Sequence, residues 1–149
     1  MANQRLGVVM DPIAGIAAAK DSTLAMLIEA QRRGHELWYF EQGDLRLRTG
    51  GRLRVADSKT DWYELGSGRE MLLGELDMLL MRKDPPFDTE YIYTTYILER
   101  AEQAGVLVLN RPASLRDINE KAFTACFPQC CPDTLITRSM ADMRAFLAE

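Results

Sequence analysis

"RLGVVMDPIAGIAAAKDSTLAMLIEAQRRGHELWYFE", residues 5–41, decides the architecture of this chain. Its first six residues, "RLGVVM", are short-range apolar and β-branched, which predicts a buried strand. A loop follows at Asp11-Pro12-Ile13-Ala14-Gly15. The spacing of Leu24, Leu27 and Ile28 then predicts a helix with Ser22 as its N-cap and Gly34 just past its end. "HELWYFE", residues 35–41, reads as the next strand. Strand, helix and strand within about forty residues form a βαβ unit, whose crossover is right-handed in nearly every known case.

Working outward, "LDMLLMR" (76–82) and "VLVLN" (106–110) read as two further buried strands, with a helix predicted over 89–103 between them and Gly105 past its end. "LRLRTGGRLRVAD" (45–57) alternates apolar and polar residues around Gly50-Gly51, a pair suited to the positive φ of a hairpin turn. Residues 62–72 show no clear period. Short helices are expected between 115 and 127, a strand at "TLITR" (134–138), and a final helix capped by Ser139 with Met143, Phe146 and Leu147 on its apolar face. The fold class is therefore α/β: an open, mostly parallel sheet flanked by helices, with an inserted β-hairpin.

At 149 residues the chain is the size of one ordinary domain, or one domain and the start of another. A net charge of −4 argues against nucleic acid or an anionic membrane surface as partner, since both demand a basic face. No run approaches the ~20 apolar residues of a membrane span, and the N-terminus lacks the features of a signal peptide. Cys126, Cys130 and Cys131 are odd in number, which fits reduced thiols and a cytoplasmic location. With no histidine near them they do not form a zinc site. His35, the sole histidine, is expected at the surface, which argues against a histidine-based triad or metal site.

In an open α/β sheet, ligands bind beyond the carboxyl ends of the strands. Two such ends carry chemistry here: Met10-Asp11-Pro12, and Arg82-Lys83-Asp84 with Pro85-Pro86 stiffening the loop beyond it. Arg82 and Asp84 admit two readings. They form a clamp for a zwitterion, the guanidinium on a carboxylate and the carboxylate on an ammonium, or an internal ion pair tying strand to loop. Asp11 orients a ligand or caps its loop. Ser22 and Thr23 offer donors to an anion or cap a helix. Asp88, followed by Thr89 and Glu90, reads as an N-cap. Tyr91, Tyr93 and Tyr96 line a pocket or pack at an interface. Neither nucleotide-binding glycine fingerprint is present.

Three stretches carry a family resemblance: residues 7–37, residues 79–124 and "TLITR", with "MRKDPPFD" (81–88) and "NRPASLRDINEK" (110–121) the most specific. Together they resemble the amino-terminal part of the bacterial glutathione synthetases, a family of ATP-grasp ligases. The resemblance implies a pre-ATP-grasp type domain over residues 1–120 and the start of an ATP-grasp domain at 121–149. It implies ligation of γ-L-glutamyl-L-cysteine to glycine through an acyl phosphate, with ATP cleaved to ADP and phosphate and Mg2+ offsetting the charge. By the same resemblance Asp11, Ser22, Arg82 and Asp84 border the dipeptide site, and Lys121 reaches the nucleotide phosphates. Neither metal ligands nor catalytic residues are expected in this chain, which is expected to be a truncated, inactive portion of a homo-oligomeric enzyme. Two rival expectations are a stand-alone binding or assembly module and another ATP-grasp carboxylate–amine ligase.

Overall fold

The computed structural model describes residues 3–45, 50–55, 62–118 and 121–148. Six strands form one sheet in the order β4-β3-β2-β1-β5-β6. Strands β1 (Arg5–Val9), β2 (Glu36–Phe40), β5 (Met78–Met81) and β6 (Leu107–Leu109) run parallel, while β3 (Gly50–Val55) and β4 (Tyr63–Arg69) extend the β2 edge antiparallel. The open, mostly parallel α/β sheet with an inserted hairpin is the architecture that the residue pattern predicts.

From β1 the chain crosses through helix α1 (Ser22–Arg32) to β2 on one side; from β5 it crosses through α2 (Thr89–Gln103) to β6 on the other. Right-handed crossovers running in opposite directions put their helices on opposite faces. Alternation along β1 meets this demand. Leu6 and Val8 join Leu24 and Leu27 of α1, together with Leu37 and Tyr39, in one buried cluster. Val9 joins Leu98 and Ala101 of α2, with Phe40, Leu79 and Val108, in the other. Gly7 also faces the α2 side, where a Cβ would lie 2.6 Å from Leu79 Cδ1 and 2.7 Å from Leu76 Cδ1. Glycine there lets β5 side chains close over β1.

Both long helices end at glycines in the left-handed region, Gly34 at φ 87° and Gly105 at φ 98°. Asp88 caps α2 as expected, its carboxylate accepting from Tyr91 N at 2.9 Å. For α1 the cap is Asp21, not Ser22: its Oδ1 accepts from Leu24 N at 2.8 Å, and Ser22 is the first helical residue. A carboxylate also complements the positive end of the helix dipole, which a hydroxyl does not. The buried face of α2 is Thr94, Thr95, Leu98 and Ala101.

Three other expectations are corrected. Gly50 and Gly51 do not form the hairpin turn; they lie in β3, opposite Arg69 and Gly68, next to a register shift between Gly51 and Leu53. Glycine inside a strand commonly marks such an irregularity, and β3 and β4 pair antiparallel with Val55 opposite Tyr63. "TLITR" forms no strand, because no other strand among the described residues lies beside it to complete a ladder. His35 is half-buried. Helices α3 (Pro112–Asp117) and α4 (Met140–Phe146) complete the described chain, with Ser139 capping α4 by accepting from Asp142 N at 3.3 Å. Among the described residues no helix is long and apolar enough to cross a membrane.

Candidate functional site

The strand order reverses direction at β1, with β2 on one side and β5 on the other, so a crevice opens where these two crossovers diverge. The residues beyond the carboxyl ends of β1 and β5 are Asp11 and the run Arg82-Lys83-Asp84. Of the five residues to which the resemblance gives a binding role, Asp11, Ser22, Arg82 and Asp84 lie here. Arg82 N donates to Val9 O at 2.7 Å, continuing the β1–β5 ladder by one residue. Its guanidinium turns toward α1, Nε donating to Thr23 Oγ1 and a terminal nitrogen to Ser22 Oγ, both at 3.0 Å.

Asp11 forms the tie between the two strand ends. Lys83 Nζ lies 2.8 Å from Asp11 Oδ1, and Asp84 N donates to Asp11 Oδ2 at 3.0 Å. The ammonium also donates to Asp84 O at 2.6 Å. The strand-to-loop ion pair is therefore Asp11–Lys83, and the Asp84 side chain stays exposed. Burial pushes the Asp11 carboxyl up. The hydrogen bonds from Lys83 and Asp84, with the Lys83 charge, outweigh that and hold it below its ordinary value.

A residue the sequence did not single out fixes the other side of this loop. Tyr39, 6% exposed in β2, donates from its hydroxyl to Glu41 Oε1 at 2.8 Å and accepts from Ile13 N at 3.0 Å. Burial, then the hydrogen bond to Glu41, hold the phenol well above the tyrosine range against the opposing Ile13 N–H. A raised pKa means a contribution to stability that is complete below the unfolded value near pH 10 and is lost as pH rises toward the folded value. Tyr39→Phe should therefore lower stability by about 1–3 kcal/mol at neutral pH, by leaving the Ile13 N–H unmet. The difference between parent and variant should shrink above about pH 10. Urea unfolding at pH 7 and above pH 10 measures both, and a pH-independent difference would contradict the assignment.

Two clefts flank the 83–87 loop. One, of about 530 Å³, is lined by Asp11, Asp21 and Asp84, with Lys20 as its one cation among the described residues and Pro12, Gly15, Ile16 and Ala17 completing it. The other, of about 580 Å³, lies between the start of α2 and α3, with Lys83 and Pro85 on one side and Asn110 and Arg111 at the end of β6. Phe87 and Tyr91, whose ring centroids are 5.2 Å apart, face Leu115 and Ile118 across it. Asn110 satisfies the same strand-end rule that selects Asp11 and Arg82, so position in the fold was the signal available for it.

Helix α3 is held on α2 by Arg116. Its guanidinium stacks 4.4 Å from the Tyr96 ring centroid, donates to Thr95 Oγ1 at 3.1 Å, and pairs with Glu99 Oε2 at 2.7 Å. Of the tyrosines, Tyr91 lines the cleft, while Tyr93 and Tyr96 are 64% and 49% exposed. Lys121 stands apart, exposed after α3, and no described contact joins it to the strand-end residues. Among the described residues no group of three histidines, cysteines or carboxylates is placed to hold a metal ion.

Comparison with known proteins gives this arrangement a context. A family model described as "Prokaryotic glutathione synthetase, N-terminal domain" matches residues 4–116. Glutathione synthetase of Yersinia pestis is 56% identical over 151 residues, covering 97% of this chain and 47% of that protein. The Vibrio cholerae serotype O1 enzyme of the same name is 57% identical, covering 95% of this chain and 46% of its own length. That of Escherichia coli K12 is 54% identical, with 95% and 47% covered. The chain spans about half the length of the curated relatives it matches.

Proposed function

Because this chain belongs to the prokaryotic glutathione synthetase family, matching its N-terminal domain, we propose that it supplies the dipeptide-binding side of an ATP-dependent carboxylate–amine ligase. That ligase joins γ-L-glutamyl-L-cysteine to glycine with ATP cleaved to ADP and phosphate. The observation that carries the reading is the crevice at the β1/β5 divergence, where Asp11 is tied to Lys83 and Asp84 of residues 81–88, one of the two stretches on which the family resemblance is most specific.

In this reading the exposed Asp84 carboxylate takes the ammonium of the dipeptide. Asp11 sets the Asp84 backbone through its hydrogen bond, and Arg82 with Ser22 locks the β5 end to the start of α1. The 1–120 unit is the substrate-side domain and 121–149 begins the ATP-grasp domain. In support, the hydrogen bonds described for residues 121–148 all stay within that stretch. Lys121 is the contact proposed for the nucleotide phosphates. ATP and Mg2+ belong to this reading of the intact enzyme, and the role proposed for this chain is binding and orienting the dipeptide. Three free thiols support a reducing, cytoplasmic setting.

Calorimetric titration tests the substrate assignment: heat on adding γ-glutamylcysteine and none on adding glycine agrees with it, and the reverse contradicts it. Incubated with ATP, Mg2+ and both substrates, this chain alone should release no ADP above background. Substrate-dependent release in a coupled assay would refute its assignment as the binding side. Self-association belongs to the same reading: of the expected apolar face, Met143 and Phe146 are half-buried, while Leu147, just past α4, is 85% exposed and Met140 at its start is 60% exposed. A sedimentation mass that rises with concentration is the expected result; a monomer at every concentration rejects it.

A further inference from the structure

Residues 134–138, "TLITR", have the composition of a strand but no ladder. Among the described residues their N–H and C=O groups make no backbone–backbone hydrogen bond. Thr134 and Ile136 line a cleft of about 370 Å³ together with Ala125, Pro128, Cys131 and Pro132. Thr137 turns to α4 instead: its hydroxyl donates to Asp142 Oδ2 at 3.1 Å and accepts from Ser139 N at 3.0 Å. Such alternation is the period of a strand. Ile136 is 60% exposed, and Leu135 is exposed beside it. An open backbone edge flanked by exposed apolar side chains is a template for a second strand.

Resting on the family reading above, we infer that residues 134–138 are a docking strand, and that their occupant is a strand from the C-terminal part that the family's enzymes carry beyond the matched region. The Yersinia pestis enzyme has chain enough to supply it, since the match takes in 97% of this chain but 47% of that protein. The sheet does not compete for the segment. The buried residues of its two apolar clusters all lie between Leu6 and Val108, and the hydrogen bonds described for residues 121–148 stay within that stretch. The cleft sets the chemistry of the incoming strand. Its described lining holds one charged residue, Asp133, and is otherwise small, apolar or neutral. An apolar side chain next to the added edge would fill it against Pro128, Cys131 and Ile136, while main-chain hydrogen bonds to residues 134–138 supply the pairing.

The test is amide hydrogen exchange on this chain alone and on a hybrid in which residues 1–149 replace the matching N-terminal part of the Yersinia pestis enzyme. In the chain alone Leu135, Ile136 and Thr137 should exchange as unprotected amides, and in the hybrid they should slow by about a hundredfold or more. Ile136→Asp should leave the melting temperature of the chain alone unchanged and return the three amides of the hybrid to fast exchange. Ile136→Val should keep them slow. A folded hybrid that exchanges at 135–137 as fast as the chain alone, or full protection in its Ile136→Asp form, would overturn the assignment. Protection that appears in the chain alone and grows with its concentration would give the edge to a second copy and overturn the occupant named here. For a hybrid that does not fold, the intact Yersinia pestis enzyme is measured at the matching positions, and fast exchange there overturns the assignment equally. The wider reading fails separately. A hybrid that protects these amides but releases ADP without regard to γ-glutamylcysteine keeps the docking strand and loses the dipeptide site; the opposite pattern keeps the dipeptide site and loses the docking strand.

Discussion

Leu79→Ala should lower the unfolding free energy by about 2–5 kcal/mol, with an unchanged denaturant slope. Leu79 is fully buried at the centre of β5, paired through backbone with Gly7 on one side and Val108 on the other. The approach of its Cδ1 to Gly7 shows why truncation there leaves a cavity: glycine has no side chain with which to fill the gap. The position also matters for the site, because β5 runs directly into Arg82 and its clamp on α1. Loss of packing at Leu79 should therefore loosen the 82–84 run before the sheet itself unfolds. Hydrogen exchange at Arg82, which is bonded to Val9 O, would register this as faster than exchange in β2. A destabilisation below about 1 kcal/mol would mean that β5 is not the core strand described here.

The second large effect is expected at Asp11. Asp11→Ala removes the acceptor for Lys83 Nζ and for the Asp84 backbone at once, leaving an ammonium that is only 16% exposed without its counter-charge. Hydrogen bonds to charged groups contribute about 1.5–3 kcal/mol, and partial exposure of the pair brings the expected loss to about 1–3 kcal/mol. The pH dependence has a definite sign. A carboxyl held below its unfolded value stabilises the fold above that value, near pH 3.8, and the contribution disappears as pH falls through the folded value. Parent and variant should thus differ fully at pH 6 and converge well below pH 3.8. Stability curves that stay parallel into strong acid would contradict the Asp11–Lys83 pairing. Because Asp11 also fixes the Asp84 backbone, affinity for the dipeptide should fall by about tenfold or more in the variant, the equivalent of about 1.4 kcal/mol.

Much of this architecture was legible because it rests on local signals. The 3.6-residue period, the Asp88 cap and Gly105 delimit α2 at the residues the sequence predicted, Thr89–Gln103. Gly34 ends α1 in the same way. Strand-end position selected Asp11 and Arg82 before any contact was visible. What remained hidden depends on contacts distant in sequence. Nothing local distinguishes glycines that turn a hairpin from glycines laid against two neighbouring strands, as Gly51 is against Tyr39 and Gly68. "TLITR" has strand composition, yet a ladder needs a second strand to complete it. Asp21 and Ser22 are both competent caps one residue apart, and only the geometry of the incoming loop chooses between them. The exchange of partners at the site has the same origin. Arg82 and Asp84 are neighbours in sequence, but Arg82 meets residues some sixty positions earlier and Asp84 meets Asp11, across the β1/β5 seam.

These long-range contacts give the strand ends their division of labour. Arg82 anchors β5 to α1, the Asp11–Lys83 pair joins β1 to the loop after β5, and Tyr39 braces the loop after β1 from β2. Arg116 holds α3 over α2 and thereby forms the far wall of the cationic cleft. Asp11 and Lys83 are thus tied to each other while each lines one of the two oppositely charged clefts. Such pre-organisation reduces the ordering cost that a small flexible peptide imposes on its site.

The most direct measurement replaces the matching N-terminal part of Yersinia pestis glutathione synthetase, 56% identical to this chain, with residues 1–149 and monitors ADP release by the folded hybrid. Release that requires γ-glutamylcysteine and glycine together is the result expected if this chain forms the dipeptide side of the enzyme. A hybrid that folds, as judged by circular dichroism, yet releases no ADP or releases it without regard to the dipeptide would contradict that account.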